Sequence, residues 1–344
     1  MISQEAWRLQ NGRVPPACRW GHPSVLGQAE NATTSGRVRA MIVRGKPTFW
    51  EIFYLSLVIP RILPQLAAVL TVSLLVVVLS RHGWAQIPNV PTVGLTVIGA
   101  ALSIFAAFRN SASYERWWEA RKISGLIVVE LRNLSRQANF YIAKVPDDDL
   151  PRRITLRCIA FMQVTRDFLR DRHGEQEVAR YLSPEEGAVV VASRNGMSCL
   201  LGRFSADIAE AVAAGRLSPQ MARALEEKVS ALASACGMLE RTKATPIPFS
   251  YTLALRRLTY MFCFLVPFGI HDASTYWTPL LAAIISYIFF GLDVLAEVME
   301  SPFSDTSMVI PLDAMTRGLE IYVLESLGEK NLPEPIRPKG FVLT

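Results

Sequence analysis

Ile62 to Leu79 reads ILPQLAAVLTVSLLVVVL and Val90 to Phe108 reads VPTVGLTVIGAALSIFAAF, and neither stretch contains a charged residue. A helix of about 20 apolar residues crosses the ~30 Å hydrocarbon layer of a bilayer. Core helices of soluble proteins seldom run this long without one charge. The two stretches therefore predict two transmembrane helices.

A second apolar pair comes late in the chain. Leu258 to Ile270 (LTYMFCFLVPFGI), extendable upstream, is separated from Ala273 to Leu292 (ASTYWTPLLAAIISYIFFGL) by little more than His271 and Asp272. This spacing is typical of a membrane hairpin. With 51% hydrophobic and 19% charged residues, and with no β-type alternation of useful length, the sequence predicts an all-α integral membrane protein with four transmembrane helices.

Lys and Arg near the ends of the predicted spans indicate their orientation, because positively charged flanks stay on the cytoplasmic side. The opposite loops hold only Arg81, His82 and Asp272. We therefore expect both termini and the large middle segment to be cytoplasmic. The basic residues that share the cytoplasmic side are Arg44, Lys46, Arg61, Arg109, Arg116, Arg121, Lys122, Arg256 and Arg257.

The chain divides by composition into five parts. The first part, residues 1–40, lacks the apolar core of a signal peptide. It is either a disordered tail or an extension upstream of a natural start at Met41. In the middle region, Ser183-Pro184 and Ser218-Pro219 each resemble a helix start with Pro at the first position. The parts are a disordered extension (1–40), an interfacial segment with transmembrane helices 1 and 2 (41–108), a cytoplasmic helical region (109–251), transmembrane helices 3 and 4 (252–300) and a cytoplasmic helix and tail (301–344).

Several functional classes are disfavoured. The formal net charge of +6 does not indicate nucleic-acid binding, because acidic residues interrupt the basic ones throughout the middle region. No HExxH, GxSxG, phosphate-binding loop or paired Cys/His motif is present. The four histidines are scattered, and the five cysteines form no CxxC pair, so free thiols are expected. We predict no enzyme activity, no cofactor and no metal.

The residues after the second apolar stretch carry a resemblance. Phe108 to Arg121 reads FRNSASYERWWEAR, which resembles the signature that follows the second membrane helix in the bestrophin family. The likeness extends to Ile127–Gln137 (IVVELRNLSRQ), to Thr245–Tyr251 (TPIPFSY) and to Ser301–Phe303 (SPF), and it covers essentially Met41 to Leu327. Motif, order and spacing agree.

The resemblance implies a homopentamer in a bacterial inner membrane, with lipid and monovalent ions as its other partners. The second membrane helix of each subunit would line a central pore, which the cytoplasmic helical region would continue. On that helix Ala100, Ile104 and Phe108 recur every four positions and share one face, so five copies would make a narrow apolar neck. The alternative is that this face packs against neighbouring helices and another face lines the pore.

Two positions depart from the family pattern. Relatives usually carry a larger apolar residue in place of Ala100, which suggests a neck of two rings or a wider extracellular mouth. A second constriction follows a Gly-x-Leu-Ser turn in the family, and the turn at Gly215–Ser218 places Gln220 at or near it. Gln220 is expected to supply a ring of amide dipoles or to be an ordinary exposed residue of a helix start.

The signature itself is predicted to position the pore helix. Arg109, Asn110 and Ser111 lie where that helix leaves the membrane, and Arg109 either favours anions or pairs with an acid, for which Glu115 and Glu119 are the candidates; we favour pairing. The aromatic residues are expected to pack the pore helix against its neighbours. They are Tyr114, Trp117 and Trp118.

Calcium gating is not expected. Eukaryotic members of the family use an acidic cluster soon after the Pro-Phe pair, whereas this chain has Asp305 alone in that segment and Asp313 later. A calcium site takes about 6 to 8 oxygen ligands.

The sign of the permeant ion does not follow from the uncharged neck residues. The short chain and the missing acidic cluster resemble the bacterial branch, so the prediction leans to cations, with an anion channel of the same fold as the alternative. A non-conducting membrane scaffold, which would show a large exposed apolar patch on its cytoplasmic helices, is the hypothesis from another class. A membrane enzyme would need ionisable groups inside the spans.

Overall fold

The structure is a computed structural model that describes residues 58–82, 88, 90–146, 149–172, 177, 180–270, 276–304 and 310–337. The predicted extension, the interfacial segment before residue 58, the loop at His271 and Asp272, and Asp305 lie outside these residues. The α-helical prediction is confirmed for the described part of the chain. Its helices are α1 (Ile59–His82), α2 (Thr92–Tyr141), α3 (Leu150–Arg170), α4 (Pro184–Ala192), α5 (Gly196–Ala213), α6 (Pro219–Ala244), α7 (Phe249–Ile270), α8 (Thr278–Glu300) and α9 (Leu312–Ser326).

Four helices, α1, α2, α7 and α8, are long and apolar enough to cross a membrane. They match the four predicted spans to within a few residues: α2 begins at Thr92 and α8 at Thr278, after the predicted starts at Val90 and Ala273. The upstream extension expected for the third span reaches Phe249. The fourth continues to Glu300 and stops just before Pro302, as the position of that proline predicts. The structure therefore has four candidate membrane helices, as the sequence predicts.

Helix α2 is the longest element, with 50 residues. At 1.5 Å per residue it is about 75 Å long, which is more than twice the thickness of a bilayer core. No Gly or Pro lies between Gly99 and Gly125, so nothing in the sequence breaks the helix at Arg109. The boundary between the apolar half (residues 92–108) and the polar half (residues 109–141) therefore lies inside one helix.

Two serine caps begin helices where the sequence predicts them. The Ser183 hydroxyl accepts a hydrogen bond from the backbone N–H of Glu186 at 3.2 Å at the start of α4. The Ser218 hydroxyl accepts one from the N–H of Met221 at 3.4 Å at the start of α6. In both helices Pro occupies the first position, where its missing N–H costs nothing. Both predicted helix starts are confirmed.

The buried apolar residues form two clusters. One joins the apolar half of α2 to α1, α7 and α8, and it includes Leu102, Phe262 and Phe290. The other joins the polar half of α2 to α3, α5, α6 and α9, and it includes Leu131 and Phe204. Helix α2 is thus the element that both clusters share.

Gly99 is a point of close approach between α2 and α7. A Cβ atom added there would lie 2.8 Å from Cζ of Phe262, which is too close for an ordinary contact. We expect Gly99→Ala to destabilise the protein by about 1 to 3 kcal/mol, because the Phe262 ring must move in a filled core. Thermal unfolding in detergent measures this. Gly237→Ala, on an exposed part of α6 with open space around the glycine, is the control, and equal melting temperatures for the two variants would contradict the expectation.

The four described cysteines, Cys158, Cys199, Cys236 and Cys263, are free. Burial raises the pKa of the Cys158 and Cys236 thiols to about 12, so both stay protonated and unreactive near neutral pH. The prediction of free thiols is confirmed for these four, and Cys18 lies outside the described residues.

Candidate pore helix and its anchoring network

One face of α2 is buried along its membrane half. Leu95, Leu102 and Arg109 recur every seven residues and are 5%, 4% and 3% exposed. Seven residues make nearly two full turns, so these side chains form one stripe. The first two belong to the cluster shared with α1, α7 and α8. This stripe holds α2 against the rest of the subunit.

The three predicted neck residues lie on the opposite face. Ile104 follows Leu95 by nine residues, which turns it about 180° around the helix. In the isolated subunit Ile104 is 57% exposed and Phe108 is 64% exposed, and Ala100 is exposed as well. The described part of the chain therefore leaves this apolar face uncovered. Its role in a pore stays a prediction.

The guanidinium of Arg109 lies between two carboxylates of α8. Its Nε donates a hydrogen bond to Oε1 of Glu300 at 2.9 Å, and its Nη1 donates to Asp293. The Ser113 hydroxyl, one turn further along α2, lies 3.5 Å from the same oxygen of Glu300. A guanidinium this buried requires charged partners, because desolvation of an unpaired charge is very costly. Arg109 thus anchors α2 to α8.

The partners predicted for Arg109 are wrong. Glu115 is six residues further along α2, which turns it about 240° around the helix and away from Arg109. Glu119 pairs instead with Arg241 of α6 at 2.9 Å. The actual partners come from α8, which is far away in sequence. A signal for one of them was present, since Asp293 is the first charge after the uncharged fourth span and such a charge needs a partner.

Two further arginines extend the network. Arg256 of α7 donates to Asp293 at 3.0 Å and to Glu297 at 2.6 Å. Arg116 of α2 donates from Nε to the backbone carbonyl of Glu300 at 2.9 Å, and from Nη1 to the carbonyl of the residue that caps the end of α6 at 2.7 Å. The network therefore ties α2 to α6, α7 and α8 just below the apolar half. In the sequence, Arg116 and Arg256 are visible only as positive flanks that orient the spans, and no local pattern predicts these contacts.

Three aromatic side chains stack on one another along α2. The ring centroids of Tyr114 and Trp117 are 6.2 Å apart, those of Tyr114 and Trp118 are 6.5 Å apart, and those of Trp117 and Trp118 are 6.2 Å apart. Tyr114 is 51% exposed and Trp118 is 46% exposed. The described residues of the subunit thus leave much of this stack uncovered. Its predicted packing role stays a prediction.

Two polar residues of the signature, Asn110 and Ser111, carry no charge. Asn110 donates to the backbone carbonyl of Ala106 on its own helix at 3.0 Å. Ser111 is exposed and lies on the same face as Ile104, seven residues further along. Neither side chain contributes a charge to that face.

Gln220 is the second residue of α6 and is exposed. The turn before it contains Gly215 with φ of +69°, a conformation that favours glycine. The backbone carbonyl of Arg216 in this turn accepts a hydrogen bond from the N–H of Ala143 at 3.0 Å, just beyond the end of α2. The turn therefore lies about 50 Å along α2 from Phe108.

No metal centre is evident in the part of the chain that the structure describes. No group of three or more His, Cys, Asp or Glu side chains there is placed to hold a metal ion. Asp313 lies among arginines: Arg170 donates to its carboxylate, and guanidinium nitrogens of Arg166 and Arg172 lie 3.6 Å and 3.5 Å away. Its oxygens are therefore committed to ion pairs.

Four apolar spans, one helix that continues far beyond the membrane, and a charged anchor between spans define an all-α integral membrane protein. A family model described as Bacterial/Fungal Bestrophin protein matches residues 41–325. The chain belongs to this bestrophin family, as the resemblance at Phe108–Arg121 predicts.

Relatives and solved structures agree with this assignment. A Mesorhizobium japonicum protein named voltage-dependent anion channel-forming protein mll4386 is 35% identical over 296 residues, which cover 84% of this chain and 93% of the relative. The Escherichia coli protein named voltage-dependent anion channel-forming protein YneE is 34% identical over 243 residues, covering 71% and 79%. The crystal structure of a bacterial bestrophin homolog from Klebsiella pneumoniae matches with a TM-score of 0.73 and 31% identity, covering 78% of this chain and all of that one.

Proposed function

We propose that this chain is one subunit of a homopentameric channel of a bacterial inner membrane that passes monovalent ions, cations in preference to anions. Five copies of α2 surround the central pore. The termini and the helical region built around the polar half of α2 are cytoplasmic. Membership of the bestrophin family supports this proposal.

The observation that carries the proposal is the uncovered apolar face of α2 opposite its charged anchor. Apolar residues exposed on one subunit are normally covered by another subunit or by lipid, or they line a functional surface. The ion pairs of Arg109 with Asp293 and Glu300 hold α2 in one rotational setting. Ile104 and Phe108 consequently point away from the rest of their own subunit.

An apolar neck controls ion flow by dewetting. An ion entering a narrow ring of Ile104 and Phe108 side chains would lose its water without gaining new ligands, and that cost closes the path until the ring widens. The small Ala100 side chain leaves a wider extracellular mouth above these two rings. Gln220 forms the second constriction, where amide dipoles replace charge.

The preference for cations rests on Glu115. It is exposed and lies about 20° around the helix from Ile104, some 10 Å below Phe108. Among the described residues it makes no ion pair. A ring of five carboxylates directly below the neck would raise the local concentration of cations. Lys122 lies two turns further from the neck than Glu115, so its positive charge acts at a greater distance. Arg109 adds little positive potential because two carboxylates compensate it.

The reversal potential under a KCl gradient tests the ion preference. Purified protein in planar bilayers is expected to reverse near the potassium equilibrium potential. Glu115→Gln is expected to shift the reversal potential toward zero, because the ring loses its charge and keeps its size. Glu185→Gln, at an exposed carboxylate in the first turn of α4, is the matched control and should leave the reversal potential unchanged. A cation-selective channel that Glu115→Gln does not alter would contradict the role of Glu115.

An anion channel of the same fold is the second candidate, and the names of the relatives from Mesorhizobium japonicum and Escherichia coli favour it. Reversal of the unchanged protein near the chloride equilibrium potential would establish it and overturn the cation preference. Absence of current from a protein of pentameric size in detergent would overturn the channel itself. A monomer in detergent would remove the pore built from five α2 helices.

A further inference from the structure

Two open surfaces flank the polar half of α2 at the same height. One is the aromatic stack of Tyr114, Trp117 and Trp118 described above. The other is a groove of about 320 Å³ where α2 meets the end of α6 and the segment that leads into α7. This interface groove is lined by residues that include Ala112, Glu119, Arg241, Thr245 and Ile247.

The two surfaces lie on opposite flanks of the helix. Counted from Ile104 at about 100° per residue, Tyr114 lies about 80° to one side and Ala112 about 80° to the other. If Ile104 faces the axis of a ring, one flank faces the preceding subunit and the other faces the next. A closed ring of identical subunits requires this head-to-tail contact between two different surfaces of the same chain.

We infer that in the assembled channel the aromatic stack of each subunit docks in the interface groove of the neighbouring copy. This inference rests on the proposed function, because it takes the face of Ile104 to be the one that lines the pore. It adds the surfaces by which each subunit recognises the next. The aromatic stack and the interface groove each lie next to the ion-pair network that anchors α2. The contact would therefore bring the networks of adjacent subunits together.

The chemistry of the two surfaces is complementary. Arg241 is 64% exposed at its side chain and is held by Glu119 at 2.9 Å, which leaves the flat face of its guanidinium for a Trp118 ring. Glu119 also provides a carboxylate acceptor for the indole N–H of Trp118. Trp, Tyr and Arg are the residues most enriched at the centres of protein interfaces.

Cysteine cross-linking in lipid vesicles tests the contact. The double variant Trp118→Cys, Thr245→Cys is treated with a short bismaleimide. In its background, Cys18 and Cys199 are replaced by serine. The other three cysteines, Cys158, Cys236 and Cys263, are buried and are kept. We expect a ladder of bands up to the pentamer on a denaturing gel. An equimolar co-expression of the two single variants should give cross-linked dimers, because the bond joins different subunits. Trp118→Cys with Glu227→Cys, which lies far along α6, should give none.

The outcomes separate this inference from the proposed function. Tyr114→Cys with Thr245→Cys repeats the test in case loss of the Trp118 indole weakens assembly. A protein of pentameric size in which neither pair cross-links overturns the docking contact and leaves the pentamer intact, as it would if lipid filled the groove. A protein of monomeric size overturns the proposed pentamer, and the docking contact with it.

Discussion

A channel carrying Phe108→Ala is expected to pass about tenfold more current than the unchanged protein at the same voltage. The substitution removes a ring of bulky apolar side chains from the proposed neck and lets water remain there, so an ion crosses partly hydrated. A tenfold increase corresponds to a barrier lower by about 1.4 kcal/mol, which is small beside the cost of dehydrating an ion. Planar bilayer recordings in symmetrical KCl measure the effect, and Ile104→Ala is expected to act in the same direction.

The matched control is Ile98→Ala. Ile98 is 50% exposed in the subunit, on the same half of α2, but it lies about 120° around the helix from Ile104. Its truncation removes the same atoms from a similarly exposed site and is expected to leave the current unchanged. Equal currents from Ile98→Ala and Ile104→Ala would show that the face of Ile104 affects conduction no more than the face of Ile98 does. Unaltered current in both Phe108→Ala and Ile104→Ala would remove these residues from the pore.

Arg109→Ala is expected to destabilise the subunit by about 3 to 5 kcal/mol. The substitution leaves the largely shielded carboxylates of Asp293 and Glu300, 9% and 16% exposed, without the guanidinium that compensates them. A loss of this size is usual when one partner of a buried ion pair is removed. Arg256 still neutralises part of the charge on Asp293, so the carboxylate that is left without a compensating charge is mainly that of Glu300. The fraction of protein that remains folded in detergent after a heating series measures the change.

Arg223→Ala serves as the comparison. Arg223 is an exposed residue of α6 whose ion pair with Glu227 spans 3.3 Å across one helical turn, and such surface pairs contribute about 0.3 to 0.5 kcal/mol. We therefore expect its melting curve to match that of the unchanged protein. If Arg109→Ala melted like Arg223→Ala, the network would not anchor α2, and the fixed orientation of the neck face would lose its basis.

Much of the fold could be predicted from local patterns. The four spans follow from the length of uncharged segments, since a bilayer offers no water to satisfy charges inside it. The starts of α4 and α6 follow from Ser183-Pro184 and Ser218-Pro219, because a serine cap and a first-position proline act within one turn of helix. The periodicity of α2 also predicts that Ala100, Ile104 and Phe108 share a face. These properties depend on residues close together in the sequence.

The partners of Arg109 could not be predicted in this way. Glu115 and Glu119 are near in sequence, but the helix turns the first one away and Arg241 takes the second. Asp293 and Glu300 come from a helix almost 200 residues away, so their approach depends on how α2 packs against α8. The surroundings of the aromatic residues also depend on the tertiary structure, because the subunit leaves Tyr114 and Trp118 half exposed and their predicted packing against neighbouring helices stays a prediction.

Composition, helical period and motif spacing are properties of neighbouring residues, so they were enough to predict the membrane class, the four spans, the family and the residues that share the apolar face of α2. The direction in which that face points depends on the packing of distant helices. The rotation of α2 is set by where Leu95, Leu102 and Arg109 find their partners, and those partners lie on other helices. A buried charge must reach its partners and an apolar stripe must pack without voids, so each permits few rotations of α2 about its axis. Together they leave α2 one orientation.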